Sequence, residues 1–201
     1  MVPKKLNWYQ RFRGRIMKQR IVTETIHQIQ TKGFTFTISD LAKQLAVSKR
    51  TIYEHFSSKD EIVDEVIRNV IESIQEKEKN IAEDGTLQTV EKIRLILICI
   101  PQQFQFMDAR LLVELKKHHY YQWLKLDQFL REGWSTVIGL IEEGMREGSI
   151  RKIQIPFFIE VYLGALNRIY DPMFIEKSDY TLGSMLESIM DMLLYGISNS
   201  K

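Results

Sequence analysis

Apolar residues recur along this chain at intervals of three and four, the spacing of one helix face, and nowhere sustain the alternation of a strand. Val22, Ile26 and Ile29 mark a first helix, which Gly33 ends as a left-handed C′ residue would. Leu41, Ala42 and Leu45 share a face of a short second helix after Thr37, and Ile52 and Phe56 point inward from a third after Ser48. A longer fourth helix follows the Ser57–Glu61 segment, where Ser58 and Glu61 fit a capping box and Asp60 adds favourable charge to the first turn. Its two stripes, Ile62-Val66-Val70-Ile74 and Val63-Ile67-Ile71, predict a spine packed on both sides, broken at residues 82–86. Further helices are expected around 87–100, 102–119, 121–148, 156–170 and 179–197, punctuated by Pro101, the Gly144 to Gly148 region, Pro156 and Pro172. The expected fold class is all-α.

Charge divides what periodicity does not. Residues 1–60 hold 12 Lys/Arg against 4 Asp/Glu, a net of +8, and residues 61–201 hold 16 against 22, a net of −6. Such asymmetry predicts that the basic part faces a polyanion, either nucleic acid or an anionic membrane surface. The boundary near residue 60 is crossed by the fourth helix. The basic start of the chain has neither the apolar run nor the small-residue cleavage site of a secretory signal. The longest apolar run, Leu95–Ile100, is far short of the roughly 20 residues a membrane-spanning helix needs. A single cysteine, Cys99, excludes an internal disulfide framework and fits a reducing cytoplasm.

Residues 38–56, ISDLAKQLAVSKRTIYEHF, have the spacing of a helix-turn-helix. Ala42 is the small residue a tight crossing needs, Leu45 to Ser48 form the turn with Val47 beneath it, and Ile52 faces the first helix. With Val47, Ile52 and Phe56 inside, the outer face falls to Lys49, Arg50, Tyr53 and His55. A helix that enters a major groove leaves its outer surface free, with cations and hydroxyls for phosphates and base edges. Ala46 occupies a turn position whose backbone tends to be left-handed, where a Cβ costs about 1 kcal/mol.

The segment RIVTETIHQIQTKGF, followed by TISDLAKQLAVSKRTIYEHFSSKDEIVDEVI, resembles the DNA-binding region of the TetR family of bacterial transcriptional regulators. The matching features are Lys32-Gly33-Phe34, Thr37, the run Val47-Ser48-Lys49-x-Thr51-Ile52-Tyr53-x-His55-Phe56, and Ser58-Lys59-Asp60-Glu61. The loop from Gly33 to Thr37 is one residue short of the family pattern, and Ala46 stands where glycine is usual. The resemblance implies a helix-turn-helix domain at 1–60 and a helical ligand-binding and dimerisation domain at 61–201. It implies a homodimer reading a palindromic operator in double-stranded DNA. Thr37, Ser48, Lys49, Thr51, Tyr53, His55 and Lys59 carry over as DNA contacts, mostly to phosphate, and Arg50 is assigned to a base. The basic arm at Lys4, Lys5, Arg11, Arg13 and Arg15 would add minor-groove or backbone contacts.

The stretch LIEEGMREGSIR at 140–151 resembles the family's turn before two final helices, which would pair with their copies in a four-helix bundle. Phe157, Phe158, Val161, Tyr162, Ala165, Leu182, Met185, Leu186, Ile189 and Leu193 suit such an interface, or an intrachain core. Bulky residues between 100 and 147 (Phe104, Phe106, Met107, Trp123, Phe129, Trp134, Met145) suit either an apolar ligand pocket or ordinary core. Phe104, Met107, Trp123, Phe129, Trp134 and Tyr162 are the pocket candidates, for a small, largely apolar effector. Its entry would tilt the spine helix and respace the two recognition helices.

No nucleophile elbow, phosphate-binding glycine loop or zinc-protease signature is present. His118 and His119 point about 100° apart on a helix and cannot easily share one ion, so a solvated or partly packed face is expected for them. No catalytic residue, metal or cofactor is assigned. A cytoplasmic, ligand-responsive repressor is the favoured function, with a constitutive or architectural DNA binder, or a helical enzyme, as alternatives.

Overall fold

A computed structural model of the chain describes residues 4–104, 108–169, 171 and 180–197. These residues form α-helices and two short 3-10 turns, with no β-sheet among them. The helices are α1 (Lys4–Lys32), α2 (Ile38–Gln44), α3 (Lys49–Tyr53), α4 (Lys59–Glu83), α5 (Thr89–Leu97), α6 (Arg110–His118), α7 (Tyr120–Glu132), α8 (Ser135–Glu147), α9 (Ile155–Ile169) and α10 (Leu182–Ile197).

Capping side chains set the boundaries around the helix-turn-helix. α1 ends where Gly33 turns left-handed at φ +63°. Thr37 caps α2 reciprocally: the Asp40 N–H donates to the Thr37 hydroxyl oxygen at 3.2 Å, and the Thr37 N–H to the Asp40 carboxylate at 2.8 Å. Lys32 bonds the other oxygen of Asp40 at 2.7 Å, tying the end of α1 to the start of α2 and, with Thr37, holding that carboxyl well below its ordinary range. Ser48 caps α3 by accepting from the Thr51 N–H at 3.0 Å. Between them Ala46 sits at φ +54°, the left-handed turn expected from its position.

The cap of α4 is only half of the expected box. Ser58 accepts from the Glu61 N–H at 3.1 Å, but the Glu61 carboxylate turns to Ser57, whose N–H and hydroxyl reach it at 2.5 and 2.6 Å. Two donors on one residue outcompete the single N–H of Ser58, and they lower the Glu61 pKa.

One contiguous core runs through the molecule. Ile21, Leu41, Ile52, Phe56 and Ile62 join α1 to α4, and the cluster continues through Ile93, Leu115, Ile141 and Met190. Burying such a side chain stabilises by roughly 1.5–3 kcal/mol. α4 is the spine, packing on α1, α5 and α7. Two expected helices prove to be broken. The 102–119 segment is a 3-10 turn at Gln102–Phe104 followed by α6, whose start is held by the Asp108 carboxylate accepting the Arg110 N–H at 2.8 Å. The 121–148 segment breaks at Gly133-Trp134 into α7 and α8, the Gly133 backbone leaving helical values. Arg94 on α5 pairs with Glu187 on α10, closing the last helix onto the body.

Candidate nucleic-acid interface and ligand cavity

Ile52 of α3 is fully buried and α3 packs on α2, which orients the rest of that short helix outward. Lys49 and Arg50 are exposed, and the Tyr53 ring is 52% accessible, high for a large aromatic whose neighbours Ile52 and Phe56 are buried. Arg50 is steered by Glu54 one turn on, at 3.4 Å. Thr37 and Ser48 are exposed, with their hydroxyls engaged in the caps of α2 and α3. Thr51 is half-buried at the foot of α3, and its hydroxyl lies 3.0 Å from that of Ser48. His55 is half-buried beside Gly14 of α1.

Lys59 departs from the expected pattern. Its ammonium donates to the Phe34 carbonyl and lies 4.3 Å from the Phe36 ring centroid, and burial lowers its pKa. That geometry gives it an internal tie between the α1–α2 turn and the start of α4.

Phe34 is held from every side. Its N–H donates to the Glu114 carboxylate of α6 at 2.9 Å, its carbonyl accepts from Lys59, and its ring packs 5.3 Å from that of His119. A Cβ on Gly33 would overlap the same Glu114 carboxylate, so glycine is required there for space as well as for φ. His119, at the elbow between α6 and α7, is buried, and its Nδ1 lies 2.6 Å from the Asp60 carboxylate. Gln122 reaches the Asp60 carbonyl at 3.3 Å, and Lys125 pairs with Asp64. Sequence reading missed this joint, placing His119 on a solvated or partly packed face. A buried His beside two exposed Lys leaves no periodic signal.

An apolar cavity of about 110 Å³ lies between α4, α5, α6, α7, α9 and α10. Phe104 and Tyr162 line it as expected, with the Tyr162 hydroxyl donating to the Leu97 carbonyl at 2.5 Å. Most of the wall is aliphatic, from Val66, Val70, Leu97, Leu112, Leu126 and Leu166 among others. Ile29 and Phe34, from the end of α1 and the turn after it, close one side. Phe129 and Trp134 border a neighbouring shallow cleft that Tyr162 shares, and Trp123 is buried beneath the Lys116 ammonium. Met107 lies outside the described residues. Cys99 is half-buried in the cavity wall, where burial raises its thiol pKa.

The expected interface residues divide by face. Phe158, Tyr162, Leu182, Met185 and Leu186 are buried within the chain, contrary to an interface role for the whole set, because each helix also has an inner face to fill. Phe157 and Val161 remain exposed, at 70% and 42%, together with Met192 at 78%. Among the described residues no helix is long and apolar enough to cross a membrane, and no group of three His, Cys, Asp or Glu converges.

A capped helix-turn-helix with an outward basic-aromatic helix, set on a larger helical body, defines a DNA-binding transcriptional regulator. Residues 21–66 match the family described as bacterial regulatory proteins, tetR family. The chain is 42% identical over 182 residues to the HTH-type transcriptional regulator YvaF of Bacillus subtilis (strain 168), covering 90% of this chain and 96% of that one. This chain belongs to the TetR family, whose members are regulators and not enzymes. A more distant relative, the fatty acid metabolism regulator protein of the same organism, is 23% identical over 189 residues, 90% of this chain and 95% of that one. The crystal structure of the regulator FadR from Bacillus subtilis in complex with stearoyl-CoA shares the fold. Its TM-score is 0.60 at 19% identity, over 89% of this chain and 98% of that one.

Proposed function

We propose that this regulator is a cytoplasmic homodimeric repressor that binds a palindromic operator and is released by a small, largely apolar effector. The reading divides the chain into a DNA-binding domain at 1–60 and a ligand-binding and dimerisation domain at 61–201. One observation carries it: the apolar cavity is walled partly by Ile29 and Phe34, which belong to the bundle that presents α3. An occupant there bears directly on the unit that holds the recognition helix. At about 110 Å³ the cavity is smaller than a ~150 Å³ engineered cavity that holds benzene, so a longer ligand must move its walls. A ligand with different affinity for the two arrangements shifts their populations. The FadR complex with stearoyl-CoA supports a long-chain acyl group as the effector class.

Lys49, Thr51, Tyr53 and His55, with Thr37 and Ser48 at the caps, contact phosphate, and Arg50 reads a base. The exposed Phe157, Val161 and Met192 support α9 and α10 as the dimer face. Two recognition helices so paired read half-sites roughly 34–36 Å apart, or a multiple of it.

Selection from a random duplex library, followed by stearoyl-CoA titration of the recovered duplex, tests this. A palindromic consensus released by the acyl thioester is expected. Binding without a consensus supports an architectural protein instead, and a consensus indifferent to acyl thioesters removes the proposed effector class.

A further inference from the structure

Trp134, at the start of α8, is 9% exposed, and its indole Nε1 is buried with no hydrogen-bond partner among the described residues. Native interiors rarely leave a buried donor unmatched, so such a group calls for a reason. The Gln28 Oε1 and His119 Nε2 atoms share that state, but those residues line neither the apolar cavity nor the cleft beside it. Trp134 lines that cleft, a space of about 80 Å³ that shares Ile74, Leu97, Cys99, Leu130 and Tyr162 with the cavity. On its other side Glu78, Phe129 and Gly133 are shared with a wider cleft of about 620 Å³, which Gln75, Ser135 and Thr136 also border. Apolar interior, narrow neck and polar mouth follow one another, with Trp134 at the neck. The indole is held there by its neighbours. Its ring meets that of Tyr162 edge to face at 5.5 Å, and the Tyr162 hydroxyl is fixed on the Leu97 carbonyl.

We infer that the Trp134 N–H is the donor that recognises the carbonyl of an acyl ester or thioester, whose chain lies in the apolar cavity and whose head leaves through the wider cleft. The inference rests on the acyl effector proposed above and adds the residue that tells an acyl group from a plain alkyl chain. Aliphatic walls measure length and bulk but cannot read a functional group. A site whose own donor would stay unpaired rejects the analogue that lacks the acceptor. An indole donates only, so the matching group is an acceptor. The Tyr162 hydroxyl, already engaged with Leu97, does not compete for it. Glu78 lines the same neck, and its carboxylate opposes a second one. That favours an uncharged carbonyl over the carboxylate of a free fatty acid.

The test titrates the full chain with stearoyl-CoA, with stearate, and with S-octadecyl-CoA, the thioether that keeps head and chain but has no carbonyl. In the nitrogen-15 spectrum the Trp134 indole resonance, assigned through its own backbone, should move downfield with the thioester and not with the other two. By calorimetry the wild type should prefer the thioester to the thioether by about tenfold, and Trp134→Phe should bind the two alike. A variant that was merely loosened would weaken both and keep the preference, which would overturn the inference. So would an indole resonance unmoved by bound thioester, or equal wild-type affinity for thioester and thioether; either leaves the cavity as an acyl site. Stearate that moves the resonance as far as the thioester overturns the choice of an uncharged carbonyl. A wild-type chain that binds none of the three overturns the acyl effector beneath the inference as well.

Discussion

The Glu114 carboxylate and the Phe34 N–H meet at 2.9 Å across 80 residues of chain, joining α6 to the turn that follows α1. The contact sits directly over Gly33, whose φ of +63° glycine adopts freely and most residues with a Cβ adopt only at a cost. Gly33→Ala is therefore expected to destabilise by about 1 kcal/mol for the backbone alone, and by more because its Cβ displaces the carboxylate. Glu114→Ala leaves the Phe34 N–H short of a partner and should cost about 1–3 kcal/mol. Urea unfolding of the two single variants and the double variant checks the mechanism. The double variant should be more stable than the sum of the singles predicts, since without the carboxylate there is nothing to displace. Additive losses would mean that the two residues act independently.

His119 makes the same joint sensitive to pH. Burial is the largest influence on its imidazole and lowers the pKa below the ordinary 6.5, against the opposing hydrogen bond that the ring donates to the Asp60 carboxylate. Its Nε2 is buried without a hydrogen-bond partner among the described residues, so protonation there would bury an unmatched N–H. The unfolded chain then takes up a proton at a higher pH than the folded one. Stability is full above about pH 6.5 and falls as pH drops through the window between the unfolded and folded pKa values. Melting temperatures between pH 7.5 and 5.5 should show this loss in the wild type and a smaller one in His119→Gln. Equal pH dependence in the two chains would assign the effect elsewhere.

The caps and turns near the N-terminus were legible because each rests on a local rule. Gly33, Thr37, Ser48 and Ala46 announce their backbone geometry to neighbours three or four residues away. The body was less legible because its decisive contacts are long-range. Nothing local marks Lys59 as the partner of the Phe34 carbonyl, or His119 as the partner of Asp60. Aromatic bulk was likewise a poor guide to the cavity, which is walled chiefly by aliphatic residues that periodicity assigns to core. Both kinds of residue satisfy the same hydrophobic spacing. Only the packing of α4 against α5 and α7 separates a wall from a filled interior.

Ala46→Gly should stabilise the chain. At φ +54° an alanine carries a steric cost that glycine does not, about 1 kcal/mol, partly offset by the greater freedom of glycine when unfolded. A net gain of a few tenths to about 1 kcal/mol is expected in denaturant unfolding. A loss would show that the packing around Leu45 and Val47 already accommodates the methyl and gains from it.

Arg50→Ala separates two kinds of contact. Exposed on α3 and 3.4 Å from the Glu54 carboxylate, the guanidinium can meet either a guanine edge or a phosphate. If it reads a base, the variant should lose about 1–3 kcal/mol on the selected duplex and become indifferent to substitution at one position of each half-site. Competition binding with duplexes altered at single positions measures that directly. A loss of equal size on every duplex would make Arg50 a phosphate contact.

Filling the cavity should leave DNA binding intact and abolish release. Leu112 on α6 is buried against the space and lies in the same helix as Glu114, so an indole at this position occupies the volume an effector would claim. Overpacking of a full core costs about 1–3 kcal/mol, but here part of the added bulk enters existing space. Leu112→Trp is expected to bind the selected duplex with wild-type affinity and to stay bound as stearoyl-CoA is added, while the wild type dissociates. If the variant releases DNA with the same half-point as the wild type, the effector acts outside this cavity. If it fails to bind DNA without effector, the indole has itself pushed on Phe34. That outcome would show that occupation of this space alone moves the DNA-binding end of the molecule.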